Sequence, residues 1–184
     1  DTAVCSGAST NIIITGTPLS NVFYHTNRSA SQQINIGITG TISLPTGGLT
    51  TGITYYIDSI LYAVNPGCPQ AIFDSSVISV NPNPTITSTG DTTICRNTSV
   101  QLFASGGTSY SWSPGATLNN PNIANPTASP ADVNRKYVVT VTSANNCSSK
   151  DSFTVKVTPV RVYSISGNQS VCLKIKSQLN ASGG

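Results

Sequence analysis

Asp91-Thr-Thr-Ile-Cys95-Arg-Asn-Thr-Ser-Val-Gln-Leu-Phe-Ala-Ser-Gly106-Gly107 is the stretch on which the fold is decided. Its second half, Ser99-Val100-Gln101-Leu102-Phe103-Ala104, alternates in the manner of a strand with one buried face. The stretch recurs. Asp1-TAVCSGASTNIIITG-Thr17 and Asn168-QSVCLKIKSQLNASG-Gly184 align with it without gaps, and each copy sets a Cys (Cys5, Cys95, Cys172) eleven residues before a Gly (Gly16, Gly106, Gly183). Three copies in one register define an internal repeat, the first property to establish in any chain.

Turn-rich segments separate the copies, Val80-Asn-Pro-Asn-Pro84 and Thr158-Pro-Val160. Proline there stiffens a short connection and blocks further strand pairing. The chain therefore divides into a domain over residues 1–82, a second over 83–160, and the opening of a third over 161–184. The segment at 83–90 supplies a first strand to the second domain that the first domain lacks. Because the sequence starts and stops inside repeats, the natural polypeptide is expected to continue in both directions.

In the second domain strands are predicted at 85–88, 99–104, 110–113, 136–143 and 151–157, with turns at Arg96-Asn97, Gly106-Gly107, Pro114-Gly115, Asn119-Asn-Pro121 and Asn145-Asn146 between them. This spacing, with no helical period, predicts an all-β chain of tandem immunoglobulin-like sandwiches. Trp112, the only Trp, is expected in the core of the third strand, and Tyr137 in the core at a corner. The first domain reads as a longer variant, with strands at 10–14, 21–25, 33–39, 54–64 and 71–80 and a hairpin turn at Thr46-Gly47-Gly48.

Composition agrees. Charged residues make up 8% of the 184, the net charge is +3, and all six acids are Asp. Hydroxyl and β-branched residues in place of charge suit short strands with polar outer faces. No apolar run approaches the ~20 residues of a membrane span. The weak, scattered charge offers no footprint for nucleic acid; Lys174 and Lys176 read as the outer face of a strand.

No constellation for chemistry emerges. The one His, His25, falls on a strand within Val22-Phe-Tyr-His-Thr26 and reads as solvated or partly packed, and Asp58 and Asp74 are expected to face water. No carboxylate cluster for calcium and no phosphate-binding loop is present, so catalytic, cofactor and metal residues are all expected to be none.

The motifs Asp91-TTICRNTSVQ-Leu102, Gly106-GTSYSWS-Pro114, Asn122-IANPTAS-Pro130 and Tyr137-VVTVTSANN-Cys147 resemble the PKD-like, Ig-like repeats of giant Bacteroidetes surface proteins, and Ile42-SLPTG-Gly48 with Gly67-Cys68-Pro69 resembles a sister type from the same proteins. The resemblance covers nearly the whole chain. It implies export by the type IX system, an extracellular or cell-surface location, and a role in adhesins, some of them serving gliding motility, or as spacers in secreted enzymes. One reading is a structural stalk of a surface adhesin or filament, with neighbouring repeats and copies of the same chain as partners; another is a binding module in which exposed aromatics such as Tyr24, Tyr55 or Tyr62 contact surface glycans. Residues 161–184 could complete a neighbouring sandwich by strand addition. Hosts of this family O-glycosylate Asp-Ser/Thr motifs, which makes Thr2, Ser59 and Thr92 candidates.

Five cysteines without CxxC spacing argue against zinc, and in an exported protein they are expected in disulfides. The first scheme is one bond per domain, Cys5–Cys68 and Cys95–Cys147, with Cys172 bonded beyond Gly184. A rival scheme joins Cys5 to Cys147, since Cys95 and Cys147 fall in turns that point to opposite ends of a standard sandwich.

Overall fold

The computed structural model describes residues 1–62, 69–159, 163–166 and 180–183. Every regular element among them is a strand, and the chain forms two compact units. The first comprises Asp1–Thr85 and Thr142–Ser149, the second Ile86–Val141 and Lys150–Gly184.

The first unit contains β1 (Thr2–Cys5), β2 (Asn11–Thr15), β3 (Asn21–Thr26), β4 (Ser29–Asn35), β5 (Thr41–Pro45), β6 (Ile53–Leu61) and β7 (Gln70–Asn81). One sheet has the order β1-β7-β6-β3-β4, and β2 pairs with β5 in another. Alternation selects the buried residues: Val22, Tyr24 and Thr26 along β3, Ile53, Tyr55 and Ile60 along β6, and Ile78 on β7. Ile14 and Ile36 complete one part of this core and Leu49 another.

The second unit contains β8 (Thr87–Ser88), β9 (Thr92–Cys95), β10 (Val100–Gln101), β11 (Ala104–Ser105), β12 (Ser109–Ser113), β13 (Thr127–Ala128), β14 (Arg135–Thr142) and β15 (Ser148–Thr158). Its main sheet runs β12-β14-β15-β9, with the short pairs β10-β13 and β11-β8 beside it. Tyr137, Val139 and Val141 on β14 face the core with no exposure, joined by Leu102, Trp112 and Phe153. The Tyr137 hydroxyl is satisfied by Thr117 Oγ1 at 2.7 Å. In the last segment β16 (Tyr163–Ser166) pairs antiparallel with β17 (Asn180–Gly183); Lys174 and Lys176 lie outside the described residues.

Four expectations change. The strand expected at 33–39 lies at Ser29–Asn35, where it extends β3 rather than following a longer loop. Thr46-Gly47-Gly48 makes no hairpin, because β5 pairs with β2 whereas β6 pairs with β3 and β7. The single strand expected at 99–104 is broken into β10 and β11, which pair with different partners. The fourth change concerns the repeated Asp-Thr-x-x-Cys, which falls outside the expected strands but is itself a strand. β1 pairs parallel with β7, the last strand of its unit, and β9 pairs parallel with β15, the last strand of its own.

The repeated Asp has a structural task in this pairing. Asp1 Oδ1 accepts from Val77 N at 2.9 Å, and Asp91 Oδ1 accepts from Thr154 N at 2.7 Å. Each carboxylate takes an amide of the partner strand just ahead of the first paired residues, Thr2↔Ile78 and Thr92↔Val155. Asp91→Ala is therefore expected to destabilise the second unit by about 1 kcal/mol, the worth of one exposed hydrogen bond. Trp112 fluorescence during denaturant unfolding reports the shift, and Thr154 amide exchange should speed up with it.

Candidate functional site

Cysteine placement follows from the parallel pairs. Cys5 ends β1 opposite Asn81, and Cys95 ends β9 opposite Thr158. Cys147 immediately precedes Ser148, the first residue of β15, so the eleven residues of that strand separate it from the level of Cys95. At ~3.3 Å per residue that is more than 30 Å, against the ~7 Å within which two Cα atoms can be bridged. The Cys95–Cys147 bond of the one-per-domain scheme does not form. Cys147 instead bonds Cys5, with Cα atoms 5.4 Å apart and a sequence separation of 142. The Cys5–Cys68 bond falls with it; Cys68 and Cys172 themselves lie outside the described residues.

The bond fits the division of the chain. The tip Thr142–Ser149 connects β14 and β15 of the second unit but belongs to the first. There Cys147 is fully buried, and Asn145 Nδ2 donates to Asn81 Oδ1 at 3.3 Å. Asn83 Nδ2 donates to Ser6 O at 3.0 Å and ties the chain leaving β7 to the turn after β1. Cys95 is exposed and carries no disulfide to any described residue.

A second feature lies on the outer face of β3, β6 and β7. His25 and Tyr56 are register partners, and their rings stack with centroids 4.8 Å apart. A bulge makes Asp58 the extra residue of β6 between Ile57 and Ser59, both of which keep partners on β3 and β7. Its carboxylate accepts from His25 Nδ1 at 2.8 Å and from Ser31 Oγ at 3.3 Å. On β7 the matching irregularity leaves Phe73 95% exposed beside Asp74. With Ile57 and Ser75 these residues line a shallow cleft of about 370 Å³.

This arrangement offers flat apolar surface edged by hydrogen-bond acceptors. It is not a nucleophile–base relay: the Ser31 hydroxyl donates its hydrogen bond to Asp58, so the carboxylate stands between the serine and the imidazole. Among the described residues no three His, Cys, Asp or Glu side chains gather where a metal could be held.

The aromatics expected to be exposed are not these. Tyr24 and Tyr55 are buried, with rings stacked 6.3 Å apart, because they share the inward face with Val22 and Ile53. Tyr62 is half-buried and donates to Gln70 Oε1 at 3.3 Å. Sequence reasoning passed over Tyr56 and Phe73. Tyr56 was legible as the neighbour of an inward Tyr55, whereas Phe73 depends on a bulge that leaves no mark in sequence. Burial, followed by the nearby Tyr24, pushes the Tyr55 phenol above its ordinary 10.0, with Arg28 opposing. A raised folded value favours the neutral phenol. Its contribution to stability is complete below the unfolded value near 10 and is lost as pH rises through the folded one. Denaturation midpoints of the first unit are expected to fall above pH ~10, and to fall less in Tyr55→Phe.

The glycosylation candidates occupy different settings. Thr2 is exposed on the sheet-edge strand β1, Thr92 is half-buried on the equivalent edge strand β9, and Ser59 is half-buried on β6 between β3 and β7.

No protein-family model matches the chain, and no curated protein does. Among solved structures, the chain is similar to a Ca2+-stabilised adhesin with which an Antarctic bacterium binds ice: 13% identity over 89% of this chain and 49% of that one, TM-score 0.48. It is also similar to part of a 1.5-MDa bacterial ice-binding adhesin (13% identity, 85% and 61% covered, TM-score 0.46) and to the fibronectin(III)-like modules of Clostridium thermocellum CbhA (12%, 85% and 89%, 0.38). The chain thus spans about half the length of the first of these. All are far below the identity at which anything beyond fold transfers. Among the described residues no helix is long and apolar enough to cross a membrane.

Proposed function

We propose that this chain is a non-catalytic, tension-carrying segment of an extracellular bacterial adhesin or filament. The observation that most supports this reading is the Cys5–Cys147 bond, which closes a loop of 142 residues through a turn of the following repeat. Such a bond persists in oxidising surroundings and is removed in a reducing cytosol. It gives a serial array what an array needs, resistance to being drawn out. Export by the type IX route and filament formation belong to the same reading through the sequence resemblance, as does sugar on Thr2, the most accessible of the three hydroxyls. Labelling intact source cells with a membrane-impermeant maleimide, before and after an impermeant reductant, tests the location. The peptide of Cys5, which is half-buried where Cys147 is fully buried, should be labelled only after reduction and without lysis. Labelling that requires lysis would place the chain inside the cell.

A second reading, contact with carbohydrate, is favoured by Phe73 standing 95% exposed beside the His25–Tyr56 stack and the acceptors Asp58 and Asp74. An aromatic face with flanking carboxylates suits the apolar face and hydroxyl edge of a sugar ring. Phe73→Ala is expected to weaken glycan binding roughly tenfold, the loss of one ring contact of about 1.4 kcal/mol. Titration of immobilised glycans with both proteins checks this, and equal binding would remove the reading.

A further inference from the structure

Cys5 and Cys95 hold the same position in two copies of one structural repeat, and the match extends to individual hydrogen bonds. Both end the strand that pairs parallel with the last strand of the unit. The residue after each donates to the partner strand's carbonyl, Ser6 N to Asn81 O at 2.9 Å and Arg96 N to Thr158 O at 3.1 Å. Each cysteine carbonyl then closes a turn, accepting from Ala8 N at 2.9 Å or Thr98 N at 3.2 Å. The turn holds a positive φ at the same place, 85° at Gly7 and 60° at Asn97, the latter a residue type that tolerates this conformation. Even the outward bond of that residue recurs, Gly7 N to Leu49 O at 2.7 Å and Asn97 N to Ala131 O at 2.9 Å.

One of these equivalent thiols is bonded, and the other carries no disulfide to any described residue. Cys5 receives Cys147, which the following repeat presents in the turn between its last two long strands. Cys95 has the same frame and is exposed. In sequence Cys68 lies between β6 and β7 as Cys147 lies between β14 and β15. Each of the first two repeats therefore has a strand-end cysteine (Cys5, Cys95) and a second, the turn cysteine, that falls in sequence between its last two long strands (Cys68, Cys147).

We infer that Cys95 is a disulfide attachment site for the turn cysteine of the repeat that follows it in the same polypeptide. Strand-end cysteine of one repeat and turn cysteine of the next then form a ladder, of which Cys5–Cys147 is one rung. The second rung forms by thiol–disulfide exchange. The Cys95 thiolate attacks a sulfur of a donor disulfide and releases one donor thiolate. The incoming turn cysteine, as thiolate, displaces the second, so two protein thiols are oxidised and the donor disulfide is reduced to two thiols. This inference rests on the extracellular reading only in requiring an oxidising compartment.

Peptide mapping of the protein isolated from its source, with thiols blocked by N-ethylmaleimide at lysis and no reductant, tests it. Cleavage before Asp and after Lys/Arg isolates Cys95 in Asp91–Arg96, apart from Cys5, Cys68, Cys147 and Cys172. The expected result is an Asp91–Arg96 peptide found only in crosslinked form, joined to a cysteine between two strand sequences of the next repeat, with the protein migrating as a monomer on a non-reducing gel. Maleimide on Cys95, a link to Cys68 or Cys172, or a disulfide dimer through Cys95 would each overturn it. If Cys5–Cys147 is linked while Cys95 carries maleimide, the ladder fails and the extracellular reading stands. Maleimide on all three would remove both.

Discussion

Held by its two ends and pulled, the non-reduced chain is expected to reach only about 150 Å of contour before it meets a covalent stop. Addition of a reductant should then release about 500 Å more. Tension entering at Asp1 follows the backbone to Cys5, crosses to Cys147 and continues from there, so the intervening residues lie off the covalent path. With the 141 residues between Cys5 and Cys147 bypassed, 43 of the 184 remain to be straightened, at ~3.5 Å each. Magnetic or optical tweezers measure the two lengths directly. Cys5→Ser should behave in oxidising buffer as the parent does in reductant. The same bond acts at equilibrium: closing a loop of this size is worth about 5 kcal/mol in the chain-entropy model. Full extension of the non-reduced chain at moderate force would show that the bond does not carry the load, and would remove the mechanical reading.

Trp112→Ala is expected to cost the second unit about 3–5 kcal/mol, the range for deleting a buried aromatic. Trp112 is 4% exposed, its ring meets Phe153 edge-on at 5.9 Å, and its indole N–H donates to Ile123 O at 2.8 Å. Truncation opens a cavity within the cluster of Tyr137, Val139, Val141 and Leu102, and leaves the Ile123 carbonyl without this donor. Against total stabilities of about 5–15 kcal/mol, that leaves a marginal unit, with a melting temperature lower by the order of 20 °C. Calorimetry is the suitable measurement, because the substitution removes the only Trp. Trp112→Phe keeps most of the packing and loses the hydrogen bond, so its cost should be nearer 1–2 kcal/mol. A similar cost for both would show that the hydrogen bond, rather than packing, holds this core.

Much of this was legible in the sequence because it is local. Alternation along Tyr137-Val-Val-Thr-Val141 marks three inward positions, and the structure buries all three. The setting of Trp112 could be read from its strand in the same way. What escaped depends on pairing between distant residues. Thr2–Cys5 and Thr92–Cys95 are too short for a period to show, and they become strands only because a strand end some seventy residues away offers hydrogen bonds. Once that parallel register is known, the place of each Cys along β7 or β15 is fixed, and Cys5–Cys147 replaces the one-per-domain scheme. Spacing alone left both schemes open. The exposed ring of Phe73 and the inward turn of Tyr24 and Tyr55 depend on which face of a sheet meets the core, and on a bulge at Asp58. Neither can be read from composition.

The direction of the terminal strand pairs has its own consequence once the disulfide is gone. β1 and β7 run the same way, so the N-terminal end of β1 and the C-terminal end of β7 lie at opposite ends of their paired segment, and β9 and β15 repeat the arrangement. A pull on the two ends of either unit slides these strands past each other in shear. It does not peel them apart from one end. In peeling, the hydrogen bonds break one after another at low force; in shear, all four paired positions and the Asp carboxylate at their edge must fail together. Each unit therefore carries a mechanical fuse that acts after the covalent stop. Reduction of the array should leave it stretchable but still stiff up to a sharp, cooperative rupture.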